Sequence, residues 1–166
     1  MRLVSKPQQQ AFSLMETIIA ASLAAMFLCS LFTMNMATMD TIRCAKENIA
    51  ASQILQQRLE SMRIANWHEV TDPTWLRDNL LNTDAAGSAP LKNLVEDLTL
   101  VSYGGSVTGN TELTRSNGVT SIVSQADLLE ENAIKIIWTL NYTGSPNSVA
   151  TSRQIVGILA KGGVAK

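Results

Sequence analysis

Residues 12–39 read FSLMETIIAASLAAMFLCSLFTMNMATM, a run of 28 residues in which Glu16 is the one charged side chain. An apolar helix of about 20 residues can cross the hydrocarbon core of a bilayer. The stretch 17–39 therefore predicts a membrane-spanning helix. An acidic group inside such a span costs roughly 2.5–3.5 kcal/mol at the helix centre. Because of that cost, Glu16 indicates a function in which its carboxylate meets a partner.

Three ordinary kinds of apolar segment provide alternatives. A cleavable secretory signal has an apolar stretch of about 7–15 residues followed by a small-x-small cleavage site, and this run is longer. A lipoprotein signal needs small residues before its cysteine, whereas bulky Phe27 and Leu28 precede Cys29. An uncleaved signal-anchor stays open on hydropathy alone, since Glu16 is close enough to one end to reach the headgroups.

The residues around Glu16 resemble a known processing site. Residues 11–16 read AFSLME and stand between a short basic leader and the apolar run. This arrangement resembles the prepilins of type IV pili and type II secretion systems. The resemblance implies cleavage by a membrane peptidase between Ala11 and Phe12, methylation of the new amino terminus on Phe12, and an assembly role for Glu16. The family usually has Gly before the cut, and this chain has Ala11 there.

The acid at position 16 has two possible partners. Cleavage would leave an ammonium group on Phe12, and a buried ammonium and a buried carboxylate are tolerated when they are paired. In the family the acid is thought to meet the terminal amine of a neighbouring subunit, which makes the pair a docking device. The first turn of a helix also favours a negative charge by roughly 0.3–1 kcal/mol. The sequence leaves both the intersubunit and the intramolecular role of Glu16 open.

The charges predict an orientation. Arg2 and Lys6 precede the run and no acidic residue does, so we expect a cytoplasmic leader and an exported remainder. Together with the family resemblance, this orientation implies a single-pass protein of the bacterial inner membrane with a periplasmic domain. Loss of the two basic residues with the leader would change the net charge from −1 to −3. With no basic run, direct binding of nucleic acid is not expected.

The chain after the apolar run predicts an α+β domain. Residues 8–72 contain neither Pro nor Gly, which favours one helix over about 12–67. Its second half carries two apolar patches, and the second patch is expected to pack on the downstream domain. The first patch is Ile42, Ala45 and Ile49, and the second is Leu55, Leu59 and Met62. Ser52 and Gln56 interrupt any heptad and disfavour a coiled coil.

Downstream, the apolar period changes from helical to two. Asp72 followed by Pro73 predicts a short helix over 73–81, and residues 85–90 predict a turn. Strands are expected over 94–103, 119–124, 134–142 and 154–160, with a hairpin loop over 144–150. Residues 104–118 are polar and rich in glycine, and they predict an exposed loop ending in an Asn117–Gly118 turn. We expect a three- or four-stranded antiparallel sheet covered by the helix, which is the pilin-like architecture that the resemblance implies.

These predictions divide the chain into four segments. They are a leader (1–11), the transmembrane half of the helix (12–39), its exported amphipathic half (40–68) and an α+β domain (69–166).

No residue pattern predicts catalysis, a cofactor or a bound metal. His68 is the one histidine, and it lacks a recognisable nucleophile and acid, so we expect a capping or packing role at the helix end. Asp127, Glu130 and Glu131 could bind calcium, but their spacing matches no calcium loop and a solvated turn is the default. Cys29 and Cys44 lie about 22 Å apart along one helix, too far to bond, although Cys44 could link subunits. We therefore do not expect an enzyme.

Two functional hypotheses remain. The first is a minor pilin or pseudopilin, whose partners would be other such subunits, the prepilin peptidase, an inner-membrane assembly platform and membrane lipid. Residues 54–63 (ILQQRLESMR) and 135–138 (KIIW) also resemble the I-type pseudopilins. The alternative is an uncleaved, single-pass anchored binding or sensor domain that faces the periplasm.

Overall fold

The computed structural model describes residues 14–85, 88–105, 107–146 and 148–162. The chain divides into two compact units, Met1–Thr41 and Ile42–Lys166. Helix α1 (Leu14–Ile64) supplies the described part of the first unit and the start of the second. The second unit continues with α2 (Trp67–Thr71), α3 (Pro73–Trp75), a π-helical turn (Leu76–Leu81) and a five-stranded antiparallel sheet.

The strands are β1 (Lys92–Ser102), β2 (Asn110–Ser116), β3 (Val119–Ser124), β4 (Ala133–Gly144) and β5 (Val149–Ala160). Their order across the sheet is β3-β2-β1-β4-β5, and every neighbouring pair is antiparallel. One face of this sheet packs against the second half of α1. The predicted α+β class, a long amino-terminal helix packed on an antiparallel sheet, is thus confirmed.

Helix α1 ends earlier than the predicted residue 67, and the first two residues of the predicted range lie outside the described part of the chain. Asn66 is extended, with φ −71° and ψ 156°, which breaks the helix after Ile64. The backbone N–H of Asn66 donates to Glu69 Oε2 at 2.8 Å. This contact caps the start of α2, so a new helix begins where a continuation of α1 was expected.

The two apolar patches of the second half of α1 have different surroundings. Leu55, Leu59 and Met62 are buried, as predicted, and Ala51 and Ile54 are buried with them. Ile42, Ala45 and Ile49 remain exposed. Buried apolar side chains therefore recur every three or four residues along α1, but only in the part of the helix that lies on the sheet.

The facing side of the sheet follows the predicted alternation. In β4 the buried residues are Ile134, Ile136, Trp138, Leu140 and Tyr142. Gly157 in β5 lies under the helix, and a Cβ at this position would come within 3.0 Å of Leu59 Cδ1. The missing side chain lets the helix approach this strand closely.

The predicted helix over 73–81 is present as α3 and the π-helical turn. Asp72 Oδ1 accepts a hydrogen bond from the backbone N–H of Thr74 at 2.9 Å, which caps the first turn. Leu76, Leu80 and Leu81 are buried beneath the turn and join the core.

The predicted exposed loop over 104–118 is wrong, because β2 occupies its second half and makes the sheet five-stranded. The buried positions of β2 are Thr111, Leu113 and Arg115, so its core face contains a single apolar side chain. Arg115 pairs directly with Glu96 across the ladder to β1. The strand is polar in sequence because an ion pair covers part of its inner face. The predicted Asn117–Gly118 turn is confirmed, and both residues have the positive φ, 51° and 79°, of a tight hairpin.

A buried ion cluster joins the helix to the sheet. The Glu96 carboxylate is fully buried, and Arg58 of α1 contacts both of its oxygens, at 3.1 and 3.2 Å. Arg115 donates to the same carboxylate at 3.0 Å and also contacts Asp84. Arg58 further donates to the backbone oxygens of Leu80 and Thr83. The Glu96 carboxylate thereby joins α1, β1 and β2. Its two arginine partners connect these elements to the segment after the π-helical turn.

The charges of the cluster stabilise each other. Burial of the Arg115 guanidinium acts to lower its pKa, but its hydrogen bond to Asp84 and the charge of Glu96 raise the pKa above the ordinary value. Arg115 therefore carries its positive charge at neutral pH. Removing the carboxylate would leave two buried guanidinium groups without their shared counter-charge.

We expect Glu96→Gln to lower the free energy of unfolding by about 3 kcal/mol, because it breaks a buried charge pair. The matched control is Glu60→Gln, which removes an exposed carboxylate that Arg63 contacts at 2.7 Å. Such exposed pairs contribute about 0–1 kcal/mol. Urea unfolding of the full chain in micelles, followed by tryptophan fluorescence, measures the free energy of unfolding of both variants. Equal stability of the two variants would contradict the importance of the cluster.

Candidate functional site

The amino-terminal part of α1 is an exposed apolar helix. Every described side chain before Asp40 is exposed, including Leu14 at 79%, Met26 at 69% and Phe32 at 67%. Soluble monomers rarely expose contiguous apolar patches larger than a few hundred Å². Within the described residues, α1 is the one helix long and apolar enough to cross a membrane. This segment therefore needs lipid, or the helices of other chains, to cover it.

The polar side chains of this segment suit an apolar surrounding. Six hydroxyl groups each donate to a backbone oxygen three or four residues earlier, at 2.8–2.9 Å. They belong to Thr17, Ser22, Ser30, Thr33, Thr38 and Thr41. A polar group without a partner is costly in hydrocarbon, and these local bonds remove that cost. The hydroxyls are thus compatible with a position in lipid.

Glu16 lies in the first turn of α1, two residues after the first described helical residue. Its position suits the intramolecular role, in which the positive end of the helix dipole favours the carboxylate. The intersubunit role needs the amine of Phe12. The predicted cleavage site, Ala11 and Phe12, lies outside the described residues, as does the leader. Both roles of Glu16 stay predictions.

The two cysteines are free and exposed. Cys29 lies within the apolar segment, where burial would have to come from lipid or another chain. Cys44 accepts a weak hydrogen bond from Asn48 Nδ2 at 3.6 Å. Its exposure leaves the predicted link between subunits open.

His68 does not lie at the end of α1, contrary to the prediction, because that helix stops at Ile64 and His68 belongs to α2. It is exposed and borders a shallow pocket of about 160 Å³ that Thr71, Asp72 and Asp127 also line. The oxygens Oδ1 of Asp72 and Asp127 accept backbone N–H groups of Thr74 and Leu129. They serve local turns, and the pocket contains no recognisable catalytic set.

The acidic residues 127, 130 and 131 do not converge. Asp127 Oδ1 accepts the backbone N–H of Leu129 at 3.2 Å, whereas Glu131 is buried and accepts the N–H of Val107 at 3.2 Å. Across the described residues, no group of three or more His, Cys, Asp or Glu side chains is placed to hold a metal ion. Asp127 and Glu131 therefore serve separate backbone contacts.

The fold assembles a basic pocket that the sequence does not predict. The pocket has a volume of about 400 Å³ and is lined by Arg43, Lys46, Glu47, Pro90, Lys92 and Ser145. Arg43 and Lys46 come from α1, and Lys92 begins β1. In the sequence the first two stand among balancing acids, and nothing there indicates that Lys92 joins them.

The carboxylate in this pocket has a structural partner. Glu47 is 8% exposed, and its Oε2 accepts the backbone N–H of Ser145 at 2.9 Å. The neighbouring Asn48 accepts hydrogen bonds from the Tyr142 hydroxyl at 3.1 Å and from Arg153 at 2.8 Å. These contacts fix this part of α1 on the β4–β5 hairpin.

Comparison of the chain with protein-family models, curated proteins and solved structures found no match.

Proposed function

We propose that this protein is a membrane-anchored assembly subunit, a minor pilin or pseudopilin of a type IV pilus or type II secretion filament. The observation that carries the proposal is the amino-terminal part of α1. It is apolar and exposed up to Met39, and its one acid lies in the first turn. The AFSLME pattern before it supplies the family resemblance.

In the proposed mechanism the apolar helix has two successive surroundings. It first anchors the subunit in the bacterial inner membrane, with the α+β domain on the periplasmic side. The same surface then packs against the helices of other subunits during filament assembly. Burying apolar surface stabilises by about 25 cal/mol per Å², and neighbouring helices offer the same apolar contacts as lipid. Glu16 pairs with the amine of a neighbouring Phe12 and sets the register.

The packing within the second unit is compatible with this role. The Glu96 cluster and the α1–sheet core hold the domain on the second half of the same helix. The shallow pocket beside His68 offers no catalytic arrangement that would favour an enzyme.

The mature amino terminus tests the proposal most sharply. Mass spectrometry of the protein from cells that contain a prepilin peptidase is expected to find a chain that begins with N-methyl-Phe12. Cells without the peptidase provide the control, in which the chain keeps the residues before Phe12. An unprocessed terminus in the presence of active peptidase would sink the proposal. It would favour the uncleaved, anchored periplasmic binding or sensor domain.

We expect Glu16→Ala to leave the protein in the membrane fraction but to reduce its recovery in sheared filaments severalfold, because the terminal amine loses its partner. Thr17→Ala, one residue further along, is the matched control. It removes a hydroxyl that already bonds within the helix, to the backbone oxygen of Leu14. Quantitative blotting of membrane and filament fractions measures both variants. Normal incorporation of Glu16→Ala would show that the acid is not the docking group.

A further inference from the structure

The basic pocket at the start of the second unit has an excess of positive charge. Three basic side chains line it, Arg43, Lys46 and Lys92, against one acidic side chain. All three basic residues are exposed, and the ammonium groups of Lys46 and Lys92 can reach a ligand. The acid, Glu47, is buried and holds the backbone of Ser145. A site with this charge selects an anion.

The size and side-chain chemistry of the pocket fit a phosphate group with an attached polar moiety. Its volume of about 400 Å³ falls in the range of small-molecule sites, roughly 300–1,000 Å³. Arginine offers a planar fork of donors to phosphate oxygens, and lysine offers a mobile point charge. The contacts between α1 and the β4–β5 hairpin hold the backbone that forms the pocket, so the pocket is present before a ligand binds.

The position of the pocket in the chain indicates the source of the phosphate. Arg43 follows Met39, the last residue of the apolar run, by four residues. Four residues span at most about 14 Å even when fully extended. The headgroup layer of each leaflet is roughly 5–8 Å thick. A chain anchored by its apolar run therefore holds Arg43 in or beside the headgroups.

We propose that this pocket binds the phosphate of an anionic phospholipid headgroup in the leaflet next to the α+β domain. The proposal rests on the membrane anchoring within the proposed function and does not require filament assembly. Free inorganic phosphate shares the chemistry, but the bilayer presents lipid phosphate beside Arg43 at high local concentration. The bound lipid would fix the depth of the domain relative to the headgroups.

The test uses the full chain in neutral detergent micelles, titrated with phosphatidylglycerol or with zwitterionic phosphatidylcholine. Native mass spectrometry measures the fraction of protein with one lipid bound. The pocket variant is Lys46→Gln with Lys92→Gln, two exposed positions at which we expect the fold to be retained. The control is Arg63→Gln with Arg77→Gln, which removes the same charge from one exposed and one half-buried position outside the pocket.

We expect the unaltered chain to retain phosphatidylglycerol in preference to phosphatidylcholine. The pocket variant should bind phosphatidylglycerol about tenfold more weakly, since each basic residue near an anionic surface contributes a severalfold gain in binding. The control variant should stay within about twofold of the unaltered chain. Inorganic phosphate at the same concentration should not displace the lipid.

Three results would overturn the proposal. Equal weakening in both variants would mean diffuse attraction by surface charge, and equal retention of the two lipids would mean no recognition of the anion. Displacement by inorganic phosphate would identify free phosphate as the ligand. The readout needs only the intact chain, so an unmethylated amino terminus would refute the proposed filament role and leave this result standing.

Discussion

The constraint on which the structure depends is that the apolar surface of one helix must be covered along its whole length. Between Ala50 and Met62 the sheet of the same chain covers α1. Up to Met39 the side chains of α1 remain exposed in the described residues. The packing of the sheet on α1 forms the core of the fold. The proposed function follows from the exposed apolar side chains before Asp40. Glu96 secures the covered part, because Arg58 of the helix and Arg115 of the sheet share its carboxylate.

The elements with strong apolar periodicity could be predicted from sequence. Helix α1 lacks Gly and Pro, and β4 alternates apolar and polar residues over its whole length. Strand β2 could not be predicted, because Arg115 on its inner face is acceptable only opposite Glu96, which belongs to another strand. The end of α1 was misplaced for a similar reason, since the cap formed by Glu69 outweighs the helical composition around residue 66.

Part of the candidate site could likewise be predicted from the sequence and part could not. The apolar run and its acid can be recognised in the sequence, because each lies within one continuous segment. The basic pocket cannot, because Lys92 reaches Arg43 and Lys46 only after β1 has paired and α1 has packed on the sheet. Local chemistry is visible in a sequence, whereas a site formed by distant segments requires the fold.

The central claim, that α1 spans the membrane with the α+β domain exported, can be tested with the two native cysteines. Both are free and exposed in the chain, Cys29 within the apolar run and Cys44 beyond it. A membrane-impermeant maleimide added to spheroplasts should label Cys44 and spare Cys29, and both should react after denaturation in detergent. Labelling of Cys29 as fast as Cys44 would contradict a membrane span. Labelling of Cys44 only in inside-out vesicles would contradict the orientation.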